Sequence, residues 1–315
     1  MDTPEKIIKP PRLLKNNQIA LIAPAGPVKQ EQIDKTQKVL SAMGYKSCYN
    51  QSILSRKGYL AGSDDVRLNE LHLAFERKDV DAIICIRGGY GSSRIVDKID
   101  FELLKQNPKI FIGYSDITVL LNSIYQQTGL ITFHGVVGIS SFSDYTRSIF
   151  TNILTLTKDE FLIYPKDKES LEIVNSGKAS GRLAGGNLSM IVSLLGTKFQ
   201  PDFTNKLVFL EDIGEAPYRI DRMLTQLLLS GCLEKASGII LGNFKNCDID
   251  NIEITSENSL SLNEIITDRL SLLNKPTIKG FSFGHMENQA IFPVGCLAEL
   301  NTNVPGIKLL ECPVS

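Results

Sequence analysis

Four short apolar runs in the first half of the chain, Gln18 to Ala23, Asp81 to Ile86, Lys109 to Ile112 and Leu130 to Phe133, end at glycine or a small polar residue and give way to segments with helical spacing. That alternation constrains the fold more than any other feature. Strands covered on both faces read as continuous apolar runs, and a run followed by a helix implies parallel strands joined by crossover helices. One of those helices is marked by Leu68, Leu71 and Phe75, which fall at i, i+3 and i+7 on one face and predict a helix over about Asp65 to Arg77.

Between Thr155 and Lys178 the sequence turns polar and irregular, with Pro165-Lys-Asp-Lys-Glu-Ser and Asn175-Ser-Gly-Lys. A domain boundary is expected there, which assigns 1–165 to an N-terminal domain, 166–180 to a linker and 181–315 to a C-terminal domain. At 315 residues the chain is long enough for two cores. The second half carries apolar runs at Lys206 to Leu210, Gly238 to Gly242 and Thr277 to Phe281, then a final set at Ala290 to Pro293, Leu297 to Leu300 and Ile307 to Glu311. The fold class expected is α/β, a parallel-sheet N-terminal domain followed by a smaller, mixed α/β C-terminal domain.

Several function classes are disfavoured by composition. The net charge is -1, with no basic block of five or more residues, which argues against nucleic acid as a partner. No stretch reaches the roughly 18 apolar residues of a spanning helix, and Met1 to Lys15 lacks the apolar run of a signal peptide, so a cytoplasmic protein without membrane contact is expected. The six cysteines form no close C-x-x-C pair, so neither a disulfide framework nor a zinc site is expected, and Cys85, inside an apolar run, reads as core filling. The three histidines share no i, i+4 helix and no H-E-x-x-H occurs; no metal and no cofactor is predicted.

The chemistry-bearing residues gather at the predicted strand ends. Ile110-Phe-Ile-Gly113 runs into Tyr114-Ser115-Asp116 and a helix starts at once, which places Ser115 on a tight strand-to-helix turn with the following backbone N–H groups open to an oxyanion. The turn has Ile117 where G-x-S-x-G has its second glycine, and a helix N-cap is the plain alternative role for this serine. A second loop, Arg87-Gly88-Gly89-Tyr90-Gly91, follows the strand at Asp81 to Ile86 and would emerge at the same carboxyl edge. Its glycines allow close backbone approach to an oxyanion or a phosphate.

A serine nucleophile needs a base, and the choice falls among His72, His134 and His285. His72 lies in the predicted amphipathic helix. His134 ends a strand and is the second choice, while His285 sits just past a strand in Phe283-Gly284-His285. The acid that orients a catalytic histidine must be rigidly held, and Glu211, after Leu207-Val-Phe-Leu210, fits best, with Asp212 and Glu215 as rivals.

Taken together, Ile19-Ala-Leu-Ile-Ala-Pro-Ala-Gly26, Tyr59-Leu-Ala-Gly-Ser-Asp64, Ile86-Arg-Gly-Gly-Tyr-Gly91, Gly113-Tyr-Ser-Asp-Ile-Thr118, Gly185-Gly-Asn-Leu188, Leu210-Glu-Asp-Ile-Gly-Glu215 and Phe283-Gly-His285 resemble the LD-carboxypeptidase family of serine peptidases, which also contains the microcin-immunity hydrolases. The resemblance implies a Ser-Glu-His triad at Ser115, Glu211 and His285, oxyanion donors at the backbone of Gly88 or Gly89 and of Asp116, an N-terminal domain like a class I glutamine-amidotransferase core, and a homodimer. The implied activity is removal of the terminal D-alanine from cytoplasmic muramoyl tetrapeptides in peptidoglycan recycling. A microcin-immunity-type hydrolase of peptide-nucleotide antibiotics and a non-catalytic peptide-binding relative are the alternatives. A substrate with a free carboxylate calls for a cationic reader, for which Arg87, Arg219 and Arg222 are candidates, with Tyr90 as a further substrate contact.

Overall fold

The computed structural model describes residues 6–248 and 259–315, so the first five residues of the charged N-terminal segment lie outside it. The chain divides into two compact units. One runs to Lys158 and also takes Ile291–Gly295 and Cys312–Ser315; the other comprises Asp159–Ala290 and Cys296–Glu311.

In the first unit, β1 (Gln18–Ile22), α1 (Gln30–Ala42), β2 (Lys46–Cys48), α2 (Asp64–Glu76), β3 (Ala82–Cys85), α3 (Phe101–Gln106), β4 (Ile110–Gly113), α4 (Thr118–Thr128), β5 (Thr132–His134) and α5 (Asp144–Leu154) follow in order. The sheet order is β12-β5-β4-β3-β1-β2, where β12 is Phe292–Val294. All its pairings are parallel except that of β12 with β5. Every residue of β3 and β4 is buried, as expected of central parallel strands. Helix α2 begins where Ser63 caps it, its side chain accepting from the N–H of Val66, with Asp64 and Asp65 in the first turn facing the positive end of the helix dipole.

The second unit carries β6 (Phe161–Ile163), β7 (Glu172–Asn175), β8 (Lys178–Asn187), α6 (Leu188–Ser193), β9 (Lys206–Ile213), α7 (Pro217–Leu229), β10 (Gly238–Lys245), α8 (Leu262–Ser271), β11 (Thr277–Lys279), β13 (Leu297–Asn301) and β14 (Ile307–Leu309). Its sheet runs β6-β14-β13-β8-β9-β10-β11-β7. The run from β8 to β11 is parallel and the flanking pairs are antiparallel, so the sheet is mixed, as expected. Ile220, Met223, Leu224 and Leu227 of α7, at i, i+3, i+4 and i+7, pack with Ile265, Ile266 and Leu270 of α8 against Val208, Leu210, Ile239 and Leu241 of the sheet.

Two placements differ from the sequence reading. The segment read as polar and irregular contains β6 and β7, both at sheet edges and both only partly buried. An edge strand pairs on one side through its backbone and needs little apolar pattern, and the short runs Phe161-Leu-Ile163 and Ile173-Val174 do not stand out from the polar residues around them. The run at Ala290 to Pro293, expected in the second domain, contributes β12 to the first unit's sheet, where Phe292 pairs with His134. Among the described residues no helix is long and apolar enough to cross a membrane.

Candidate active site

Strand β4 ends at Gly113, and Ser115 opens a single 3-10 turn, Ser115–Ile117, that leads straight into α4. The backbone of Ser115 is left-handed, with φ of 64°. For a residue with a side chain that conformation costs about 1–2 kcal/mol, and such strain gathers where function requires a side chain to be presented. Ser115 is half-buried, whereas Asp116 beside it is buried, its Oδ2 accepting from the N–H of Ser92 at 2.8 Å. The carboxylate is thus turned into the protein, while the serine before it stays partly exposed.

The glycine loop after β3 lies against this turn. A methyl group at Gly88 would come 2.8 Å from Cβ and 3.0 Å from Oγ of Ser115, and 3.2 Å from the amide nitrogen of Asp116. Only a residue without Cβ permits that approach. The carbonyl of Gly88 accepts from the N–H of Gly26 at 3.0 Å, which fixes the loop to the segment following β1. Backbone amides and a hydroxyl are therefore gathered within one small region, an arrangement suited to holding an oxyanion beside a nucleophile.

In the second unit, Glu211 and His285 form a pair. Glu211 lies within β9, opposite Asn187 of β8 and two residues before the strand ends, so it is a strand residue and not the first residue after one. It is wholly buried, and its Oε2 is 2.7 Å from Nδ1 of His285, whose side chain is 14% exposed. With Glu211 ionised the carboxylate only accepts, so Nδ1 is the donor, and in the neutral imidazole Nε2 is then the basic nitrogen. Gly284 makes the contact possible. With φ of +96°, it would place a methyl group 2.7 Å from Oε2 and 2.8 Å from Cβ of Glu211.

Side-chain alternation along β9 separates the rival carboxylates. Asp212 accepts from Nδ2 of Asn187 at 2.9 Å, the N–H and Oγ of Ser189 at 2.9 and 2.7 Å, and its neighbour's N–H at 2.8 Å. Burial pushes its carboxyl above the ordinary value. Glu215 pairs instead with Arg219 at 3.3 Å, and Arg219 also donates to the hydroxyl of Tyr218. Of the other histidines, His134 is wholly buried in β5, edge-on to Tyr114, while Nε2 of His72 accepts from the N–H of Asp100 at 3.0 Å. Arg87 donates to the carbonyl of Pro27 at 3.3 Å, and its buried Nε has no hydrogen-bond partner. Tyr90 is half exposed and meets Tyr59 edge-on, ring centres 5.7 Å apart. Among the described residues no three His, Cys, Asp or Glu side chains converge as a metal would require.

Sequence reasoning passed over Arg67, which is 0% exposed and ties the loops after β1 and β3 together. The signal was present in Ser63-Asp64-x-x-Arg67: an acid in the first turn of a helix with an arginine three residues on, directly after a run used for the family resemblance.

The sequence matches the family models described as LD-carboxypeptidase N-terminal domain, over residues 19–135, and LD-carboxypeptidase C-terminal domain, over 180–300. A probable murein peptide carboxypeptidase of Bacillus subtilis is 39% identical over 93% of this chain and 92% of its own. The microcin C7 self-immunity protein MccF of Escherichia coli is 28% identical over 92% of this chain and 91% of its own. Among solved structures, the muramoyltetrapeptide carboxypeptidase from Oxalobacter formigenes superposes with a TM-score of 0.81 at 31% identity, over 93% of this chain and 98% of that one. On these matches the chain belongs to the LD-carboxypeptidase family of serine peptidases.

Proposed function

We propose that this protein is an LD-carboxypeptidase that hydrolyses the amide bond to the terminal D-alanine of muramoyl tetrapeptides in the cytoplasm, with Ser115, Glu211 and His285 acting as one triad. The observation that carries the reading is the 2.7 Å contact between His285 Nδ1 and Glu211 Oε2, because it leaves Nε2 ready to take a proton. In this mechanism Ser115 Oγ attacks the carbonyl carbon of the terminal amide as its proton passes to Nε2. The oxyanion that forms is met by the N–H groups of Gly88 or Gly89 and of Asp116. Collapse of the tetrahedral species transfers the proton from His285 to the leaving amine and releases D-alanine. Water then enters by the same base and frees the serine.

Arg87 and Arg219 are the proposed readers of the substrate carboxylate, with Tyr90 as a packing surface. The orphaned Nε of Arg87 supports its inclusion, since a buried donor without a partner gains most from a bound anion. A homodimer, a cytoplasmic location and a likeness of the first unit's core to class I glutamine amidotransferases complete the proposal.

Cleavage of a peptide-nucleotide antibiotic by the same residues is the second reading, favoured by the 28% identity to MccF. The chain has no tryptophan to stack on a nucleobase, although the Tyr59 and Tyr90 rings stand exposed. Incubation with a muramyl tetrapeptide and, separately, with a peptide-adenylate decides between them: D-alanine release supports the first reading, and nucleotide release alone replaces it with the second. A protein that turns over neither and fails to react with a fluorophosphonate is the non-catalytic relative.

A further inference from the structure

Arg67 is not among the groups the catalytic reading calls for, yet its Nη1 and Nη2 bind segments that frame the glycine loop, while its buried Nε has no hydrogen-bond partner. Nη1 donates to the carbonyl of Pro24 at 2.6 Å and to that of Gly91 at 2.8 Å, and Nη2 donates to Oδ1 of Asp64. Pro24 follows β1, and Gly91 closes the loop that begins at Gly88. Asp64 is held in turn by Arg94, whose Nε and Nη2 reach its two oxygens at 3.0 and 2.9 Å. A guanidinium held out of water is costly unless its donors are met, and its planar fork can serve two carbonyls and a carboxylate together, which an ammonium cannot do with the same geometry.

The loop is thereby pinned at both ends. The carbonyl of Gly88 is taken by Gly26 and that of Gly91 by Arg67, leaving Gly89 and Tyr90 between two fixed points. At position 91 φ is +138°, and a methyl group would lie 2.8 Å from Nη1, so glycine is needed for the carbonyl to meet the guanidinium. Immediately beyond, the N–H of Ser92 donates to Asp116, which ties the same loop to the turn that presents Ser115. Any shift of Gly91 therefore moves the loop relative to the serine.

We propose that Arg67 is a positioning residue: with Asp64 as its anchor, it holds the glycine loop at the distance from Ser115 at which the loop's amides can receive an oxyanion. This rests on the serine-hydrolase reading above and adds to it a residue that never touches substrate. The test compares wild type with Arg67→Met, Arg67→Lys and Asp64→Asn by three measurements: the rate at which a fluorophosphonate labels Ser115, kcat and KM for a muramyl tetrapeptide, and the melting midpoint. Arg67→Met is expected to label, and to turn over, about a hundredfold more slowly with KM little changed, the cost of a displaced oxyanion donor. Arg67→Lys and Asp64→Asn fall between it and wild type. A purely structural role would lower the melting midpoint and leave the labelling rate of the folded protein unchanged, and that result overturns the proposal. Should Arg67→Met not fold, Asp64→Asn decides by the same criterion. A wild-type protein that resists labelling overturns the serine-hydrolase reading as well; a wild-type protein that labels beside unaffected variants overturns the positioning role alone.

Discussion

Replacing Glu211 by glutamine changes the charge and almost nothing else about the site. The side chain is wholly buried, so an amide of the same shape keeps the packing. It faces Nδ1 of His285 across 2.7 Å in one of two ways. If it presents its carbonyl, a neutral hydrogen bond replaces a charged one; if it presents its NH2, Nδ1 must accept, the proton moves to Nε2, and the base is lost. In the proposed triad, neither places a negative charge beside the imidazolium that would form as Ser115 gives up its proton. Two unit charges about 4 Å apart, at an effective dielectric of about 20, interact by about 4 kcal/mol, which is roughly three powers of ten in rate. The wrong tautomer extends this toward about four. We expect Glu211→Gln to lower kcat by roughly three to four powers of ten with KM little changed, and to melt no lower than wild type, because a neutral amide is easier to bury than a carboxylate. Glu215→Gln is the control. The pair that Glu215 makes with Arg219 is 3.3 Å long and solvent-exposed, hence weak, and Glu215 does not meet His285, so its loss should alter KM more than kcat. Steady-state release of D-alanine from a muramyl tetrapeptide by both variants provides the assay. A greater kcat loss in Glu215→Gln, or a loss below about tenfold in Glu211→Gln, would refute the reasoning.

Four further outcomes follow from the same reading. Ser115→Ala should lose several powers of ten in turnover while folding normally, and retention of more than about a tenth of wild-type activity removes the serine from the mechanism. Ser115→Gly should be equally inactive yet melt no lower than Ser115→Ala, since relief of about 1–2 kcal/mol of left-handed strain offsets the roughly 0.5–1 kcal/mol entropic cost of glycine; differential scanning calorimetry measures the order. Gly284→Ala, whose methyl group would sit 2.7 Å from Oε2 of Glu211, should displace the acid from His285 and lower kcat more than KM, and an unchanged kcat would show that the pair tolerates the intrusion. EDTA should leave activity intact; inactivation that zinc restores would replace the serine mechanism with a metal-assisted one.

The framework of the candidate site was partly readable, because a strand that runs straight into a helix leaves local marks. An apolar run ending in Gly113-Tyr-Ser115 predicts a strand, a tight turn and a helix, and the structure has β4, a left-handed serine and α4 in that order, with Ser115 half-buried rather than exposed. The choice among Glu211, Asp212 and Glu215 was less open than the sequence made it look. Their alternation along β9 puts Glu211 and Asp212 on opposite faces, but which face meets His285 depends on tertiary packing, and the strand was expected to stop before either. Strands β6 and β7 left only faint traces, runs of three and two apolar residues, because an edge strand is held by backbone pairing, and Ile173 of β7 remains 53% exposed. The placement of β12 beside β5 was hidden for a different reason: a three-residue strand near the end of the chain carries no information about which sheet it will join. Arg67 escaped notice because a helical arginine ordinarily lies at the surface, and an i, i+3 spacing from Asp64 suits an exposed pair as well as a buried one.

The turn at Ser115 and the Glu211–His285 pair are built by the same device. Beside Ser115, Gly88 approaches so closely that a methyl group would lie 3.0 Å from Oγ; beside Glu211, Gly284 approaches so closely that a methyl group would lie 2.7 Å from Oε2. In each case the glycine supplies no chemistry, and its missing Cβ is the space the functional contact occupies. Side-chain groups that must come within hydrogen-bonding reach of one another, or of backbone amides, cannot do so through a fully packed interior unless a neighbour gives up volume. Glycine gives up the most, and at Gly284 it also accepts a backbone conformation that other residues resist. A lone serine or histidine in a sequence is weak evidence of catalysis. One that follows a strand and stands next to a glycine, as His285 does in Phe283-Gly284-His285, is stronger evidence, because the glycine shows that something there needed room.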